Sequence, residues 1–391
     1  MSPRRTRRAA TTPGDTGQAE PVPGGPGTRT PPPDLPTLVA ERAVVICCGS
    51  GGVGKTTVSA AFALEAARIG RRACVVTIDP ARRLANALGV DTLPNVAARI
   101  EGPWPGELWA MMLDAKGTFD DLIAKHAASP EQAESVISNR LYRNLTGALS
   151  GTQEYMAMEK LYELTEEGNF DLVVVDTPPT RNALDFLDAP RRLTQFLGHR
   201  LFQLLLMPTR AYLRAVSVAT QALLRTISKV AGAEIVQDAV TFFGAMEGML
   251  EGFRSRAEHM RELLGRPTTS FVLVTSPRAD SVEEAEWFAE RLLEAGMAVE
   301  GLVVNRVHPA FPIAPPFPAA PAGSALEALE DNLRGYREVN EREERAFGEL
   351  VVRVAPSPVS RVPLLSIDVH DVAGLTVVAD HVFAPVTTPA V

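Results

Sequence analysis

The run GSGGVGKTT, Gly49 to Thr57, carries four glycines, a lysine and two threonines at the spacing G-x-x-x-x-G-K-T. Such a run suits phosphate chemistry for a physical reason. The absence of side chains at Gly51, Gly52 and Gly54 lets the backbone curl around Val53 until its N–H groups converge on phosphate oxygens, and a helix starting at about Thr56 adds the positive end of its dipole. Lys55 can then reach the β- and γ-phosphates of a nucleoside triphosphate. Thr56 can put its hydroxyl on Mg²⁺, and Thr57 can donate to the α-phosphate. ATP and Mg²⁺ are therefore the expected ligands of residues 51–57. A glycine-rich turn with no ligand is the plainer reading, and the complete motif between an apolar run and a helix argues against it.

Hydrolysis needs carboxylates near that loop. DLVVVDTPPT ends an apolar run in Asp176, where an acid can hold a magnesium-bound water. CVVTIDPARRL ends another in Asp79, whose carboxylate can orient or deprotonate the attacking water. Aspartate is also common at strand-end turns and helix N-caps, so each acid alone has that simpler explanation. Their order after the loop supports a working set of Lys55, Asp79 and Asp176, with Thr56 and Asp176 serving the metal, the latter through water.

The elements that must position these residues follow from periodicity. AVVICC, RACVVTID, DLVVVDT, FVLVTS, AVEGLVVN and VVRVAP are short, nearly continuous apolar runs, as strands buried on both faces are, and they alternate with helical patterns. The expected fold is an α/β P-loop NTPase: a doubly wound, mostly parallel sheet flanked by helices. Helical periodicity over residues 185–265, and a smaller helical piece at 117–164, predict a helical insertion subdomain within a domain running from 39 to 384. In the insertion Val236, Val240, Phe243, Met246, Leu250, Phe253, Met260 and Leu264 recur at helical spacing. That stripe reads either as core against a neighbouring helix or as a groove for an apolar client helix, methionine being adaptable to varied partners. The proline-dense run 307–323 reads as a loop, residues 1–38 as a disordered tail rich in Pro, Gly, Thr and Arg, and 385–391 as a flexible end.

Composition narrows the partners. Over 391 residues a formal charge of -8 gives no basis for a nucleic-acid surface. The three cysteines, Cys47, Cys48 and Cys74, lie in strand-like runs without a C-x-x-C pair, which points to buried free thiols in a reducing compartment. Apolar runs fall far short of the ~20 residues that cross a bilayer, and no apolar segment of an export signal follows the N-terminal arginines. A cytoplasmic protein is expected, one that meets membranes peripherally or through a partner.

GSGGVGKTT, DPARRLANALGV, DLVVVDTPPTRNALDFLDAPRRL, LVVNRV and VPLLSIDVHD together resemble the successive motifs of the ArsA family, a likeness spanning about Arg42 to Phe383. That family includes arsenite-pump ATPases and the ATPase that delivers tail-anchored membrane proteins. The resemblance implies a dimeric, Mg²⁺-dependent ATPase with Asp79 in switch I and with Asp176, Thr177, Pro178 and Thr180 in switch II. It also implies that Asn305 reads the adenine edge, while Pro363, Leu364 and the residues after them line the base pocket. A carboxamide suits adenine because it can pair donor to acceptor; a strand-end cap is the simpler role for the same residue.

Two departures from the family pattern carry consequences. The family's loop usually has a lysine where this chain has Ser50, and that lysine crosses the dimer interface to the neighbour's phosphates. Its loss removes stabilising charge. The resemblance then implies a homodimer that brings another cation, nearest in sequence Arg82 or Arg83, or a heterodimer with a paralogous subunit that retains the lysine. A subunit that binds ATP as a scaffold and scarcely hydrolyses it is the third reading. The C-x-x-C pair by which targeting members share an interfacial zinc is also missing, so zinc is not expected. Arsenite is disfavoured as cargo, because soft As(III) prefers thiolates and no cysteine lies in the insertion. A ParA- or MinD-like partitioning role would want a basic face or an amphipathic end, and the terminal ADHVFAPVTTPAV offers neither. The expected cargo is a hydrophobic client helix, or else a membrane partner.

Overall fold

The computed structural model describes residues 33–79, 81–140, 142–143, 152–178, 242, 250–311 and 320–384. Among them eight strands form one sheet: β1 Val44–Cys48, β2 Arg72–Thr77, β3 Ala98–Ile100, β4 Glu107–Met112, β5 Leu172–Asp176, β6 Thr269–Thr275, β7 Val299–Val307 and β8 Val359–Pro363. The order is β3-β4-β2-β5-β1-β6-β7-β8. All pairings are parallel except β3 with β4. This is the doubly wound sheet expected of the alternating apolar runs.

The runs in β1, β5 and β6 are buried at every position, so helices must cover both faces. Alternation then divides each strand between two cores. Val44, Ile46 and Cys48 face one core with Val173 and Val175, while Val45 and Cys47 face the other with Val174 and Val272. The second core receives helix α2, Lys55–Arg68, whose Ala60, Ala61, Ala63, Ala66 and Ala67 are all fully buried. Small side chains let α2 approach the sheet on one side and the C-terminal helix Val372–Val382 on the other. Phe62 fills the remaining gap edge-on to Phe383, ring centroids 5.0 Å apart. A buried phenyl ring of this kind contributes roughly 1.5–3 kcal/mol. The phosphate loop is thus fixed at both ends, by the central strand before it and by a fully packed helix after it.

All three cysteines are free and buried. Burial pushes their thiols up, Cys48 and Cys74 to about 12 and Cys47 further.

Several sequence expectations need correction. VVRVAP is not a strand: its first four residues end the helix Ala325–Val354, and the eighth strand is the following VSRVP. Phe347, Leu350 and Val354 are buried at helical spacing while Val352 is 76% exposed, so one-sided burial outweighs the β-branched local preference. The strands at Ala98–Ile100 and Glu107–Met112 were not legible, since Ala98–Ile100 is a three-residue edge strand and ELWAMM, which lies between it and β2, is rich in helix formers. The tail boundary at 38 falls inside helix α1, Leu35–Glu41, which buries Leu35, Leu38 and Val39. Asp34 caps it, accepting from Thr37 N at 2.8 Å. Val307, assigned to the proline-rich loop, is paired in β7, and 312–319 lie outside the described residues.

The described part of the insertion is helical: Ala115–His126, Pro130–Ile137, Thr152–Glu166 and Leu250–Gly265. Met260 and Leu264 of the apolar stripe are buried in the same core as Phe242. Val236, Val240, Phe243 and Met246 lie outside the described residues. Among the described residues no helix is long and apolar enough to cross a membrane.

Candidate nucleotide site

The loop follows the carboxyl end of β1, with β5 and β2 on one side and β6 and β7 on the other, at the switch point where parallel sheets bind ligands. Two of its glycines are sterically required. A Cβ at Gly49 would collide with the Val274 carbonyl, and one at Gly54, where φ is 91°, with the Asn305 carboxamide. Gly54 is also the N-cap of α2. Lys55 opens the helix 6% exposed, and its Nζ donates to Gly49 O at 3.2 Å. Burial lowers its pKa, and the nearby Asp176 carboxylate acts in the opposite direction. A desolvated cation held across the mouth of a glycine loop is poised for an anion.

Strand register brings the acids in. Asp176 ends β5 beside Cys47 of β1 and Thr77 of β2. Its Oδ2 accepts from Thr56 Oγ1 at 2.7 Å and from Thr77 Oγ1 at 2.8 Å. Its Oδ1 is buried with no hydrogen-bond partner. A fully buried carboxylate, its pKa raised chiefly by burial, with one oxygen orphaned beside Thr56, has the donor chemistry that a hydrated divalent cation requires. Thr77, which sequence reasoning missed, also accepts from Asp79 N at 3.2 Å, tying both acids to one hydroxyl. A hydroxyl at the end of β2, two residues before Asp79, was the available signal.

Asp79 is more open. Its Oδ1 accepts from Ala81 N at 3.0 Å and its Oδ2 pairs with Arg83 at 3.1 Å, at the start of helix α3, Arg83–Leu88. Arg83 is therefore committed to Asp79, while Arg82 is an exposed N-cap in left-handed conformation, φ 52°. Thr177 Oγ1 donates to Cys47 O at 2.9 Å, anchoring the segment after β5 to β1. Thr180 lies outside the described residues.

A cavity of about 450 Å³ opens over the loop. It gathers Ser50, Gly51, Gly52, Gly54, Lys55, Thr56 and Thr57 with Asp79 and Arg83, and adds Arg306 and Val369, which the sequence did not suggest. Asn305 stands beside it: Nδ2 donates to Val53 O at 2.8 Å and Oδ1 accepts from Arg306 N at 2.9 Å. Asn305 is itself only 9% exposed and does not line the cavity. Pro363 and Leu364 do not line this cavity; Leu364 N instead donates to Val307 O at 2.9 Å.

The family model described as anion-transporting ATPase matches residues 42–318, most of the chain, including the loop, both acids and Asn305. The chain belongs to that family. ATP hydrolysis is the activity that goes with membership. The chain is 27% identical over 259 residues to the ATPase get3 of Schizosaccharomyces japonicus, 66% of this chain and 72% of that protein. It is 29% identical over 169 residues to the ATPase get3 of Aspergillus terreus, 42% of this chain and 49% of that protein. Likeness to the ATPase GET3 of Podospora anserina is 25% over 279 residues, 70% of this chain and 76% of that protein.

Proposed function

We propose that this ATPase is a dimeric, Mg²⁺-dependent switch that couples ATP hydrolysis to capture and release of an apolar client helix. The observation carrying this reading is the shared Asp176 carboxylate, which links Thr56 of the loop to Thr77, and through it to Asp79. Thr56 and Asp176 would hold Mg²⁺, and the ion would neutralise phosphate charge as the γ-phosphoryl leaves. Lys55 and the loop amides bind the phosphates, while Asp79 orients the water. The water oxygen bonds to the γ-phosphorus as the bond to the bridging oxygen breaks. ADP keeps the electron pair, and the water's proton passes to Asp79 and on to the released phosphate. Asn305 is the adenine-reading residue. Loss of the γ-phosphate would free the segments after Asp79 and Asp176 and so reorient the subunits.

The resemblance to the branch of the family that delivers tail-anchored membrane proteins favours a membrane-protein client, and the lack of cysteines in the insertion disfavours arsenite as cargo. Cytoplasmic location, with peripheral contact at a membrane, suits such a role. The pairing is between two copies of this chain, or between one copy and a paralogous subunit. In the test, the full chain is incubated with ATP or ADP and a labelled apolar peptide of ~20 residues. The expected outcome is a dimer by sedimentation that retains the peptide with ATP and releases it with ADP; equal retention in both states would overturn the coupling.

A further inference from the structure

Where the family resemblance expects a lysine, Ser50 puts a neutral hydroxyl that is buried without a hydrogen-bond partner. Three cations line the loop cavity among the described residues: Lys55, Arg83 and Arg306. Lys55 is already assigned to the phosphates, and Arg83 is paired with Asp79. Arg306 pairs with no carboxylate among the described residues, and its Nη1 donates to Gly52 O at 3.0 Å, on the loop itself.

The backbone is bent to place it there. The β7–β8 register shifts between Asn305, opposite Val362, and Val307, opposite Pro363, so Arg306 is an extra residue in the ladder. Pro363 has no N–H, which makes this a natural place for pairing to break. Arg306 has φ 63°, a left-handed conformation that a bulky side chain adopts at a cost and that tends to persist at functional sites. Bulges re-aim side chains in this way beside active sites. Arg306 also lines a second cavity of about 520 Å³, together with Gly51, Gly52, Arg278, Asp280, His308 and Glu343 among others. There Arg278 is paired with Asp280 at 3.0 Å, which again leaves Arg306 as the cation without a carboxylate among the described residues.

We propose that Arg306 supplies, from strand β7 of the same chain, the γ-phosphate-facing cation that Ser50 leaves out. This rests on the ATPase reading above. The guanidinium donates to Gly52 O on the loop, and with ATP bound it turns to the γ-phosphate, where charge builds as the bond to ADP breaks. The paralogue with a loop lysine then becomes unnecessary.

The test uses the full chain, measuring steady-state turnover and ADP affinity for the unmodified protein, Arg306→Ala, Arg306→Lys and the double variant Ser50→Lys with Arg306→Ala. Arg306→Ala is expected to lose turnover on the order of 10²-fold, as for other lost transition-state donors, with ADP affinity changed less than about threefold. Arg306→Lys recovers part of the loss, and Ser50→Lys restores turnover in the Arg306→Ala background. Turnover by Arg306→Ala within about twofold of the unmodified chain would overturn the proposal. So would a parallel loss of ADP affinity that Ser50→Lys does not repair, which would leave only a brace for Gly52, or an unmodified chain that binds ATP without hydrolysing it. An unmodified chain that binds no ATP would instead refute the ATPase reading itself.

Discussion

Lys55→Ala abolishes ATP binding in calorimetry, a loss on the order of 10²-fold or more for a charge-assisted contact to two phosphates, while the fold survives. The two halves of this expectation have separate causes. The lysine is buried, and burial is the largest influence on its pKa, which it lowers. A lysine with a depressed pKa disfavours folding while it is charged, and that cost fades as pH rises past its folded pKa. Removing the side chain therefore leaves the melting temperature of the nucleotide-free chain unchanged or raised. The stabilisation conferred by ATP disappears, which for the unmodified chain is about 2.7 kcal/mol at a hundredfold excess over Kd. If the Lys55→Ala variant binds as tightly as the unmodified chain, the phosphate role is removed. If that variant unfolds, Lys55 is instead a strut of the Gly49 carbonyl.

The second large effect separates the two acids. Asp79→Asn is expected to lower turnover on the order of 10²-fold with ATP affinity retained, since a positioned base or water-orienting group is lost and the loop is untouched. The asparagine oxygen can still accept from Ala81 N, so the turn persists. Asp176→Asn should lower turnover and also weaken the magnesium dependence of ATP binding. It should not weaken the nucleotide-free fold: Asp176 has a raised pKa from burial, so its charge opposes folding above the unfolded pKa, and a neutral amide removes that burden. Magnesium titrations of ATP affinity, side by side with turnover, decide the matter. Equal effects of the two substitutions on both quantities would erase the distinction between a water-orienting and a metal-holding acid.

The loop was legible because its demands are local: Gly54 must avoid the Asn305 carboxamide, Lys55 must open a helix, and both appear as residue types at fixed spacing. Asp79 and Asp176 were legible as the ends of buried apolar runs. Thr77 and Arg306 were not, because their roles depend on register. Thr77 matters only because β2 lies beside β5, and Arg306 only because a bulge opposite Pro363 turns it toward Gly52. The misplaced last strand has the same origin. VVRVAP and VSRVP are both rich in valine, and only tertiary burial on one face of the long helix decides between them.

The sealed thiols of the central sheet give the protein a built-in clock. Cys47 and Cys48 lead directly into the loop and Cys74 lies on the strand that ends near Asp79, yet none is exposed in the closed sheet. Alkylation must then wait for the strands to part, so its rate measures an opening equilibrium that otherwise requires amide exchange to see. A nucleotide bound at the mouth of β1 favours the closed state by mass action and lengthens the interval between openings. Labelling each thiol in turn, with and without ATP, would show whether the sheet yields first at the strand that leads into the loop or at the strand that leads toward the water-orienting acid. An alkylation rate that ATP leaves unchanged would mean that the strands part without disturbing the bound phosphates.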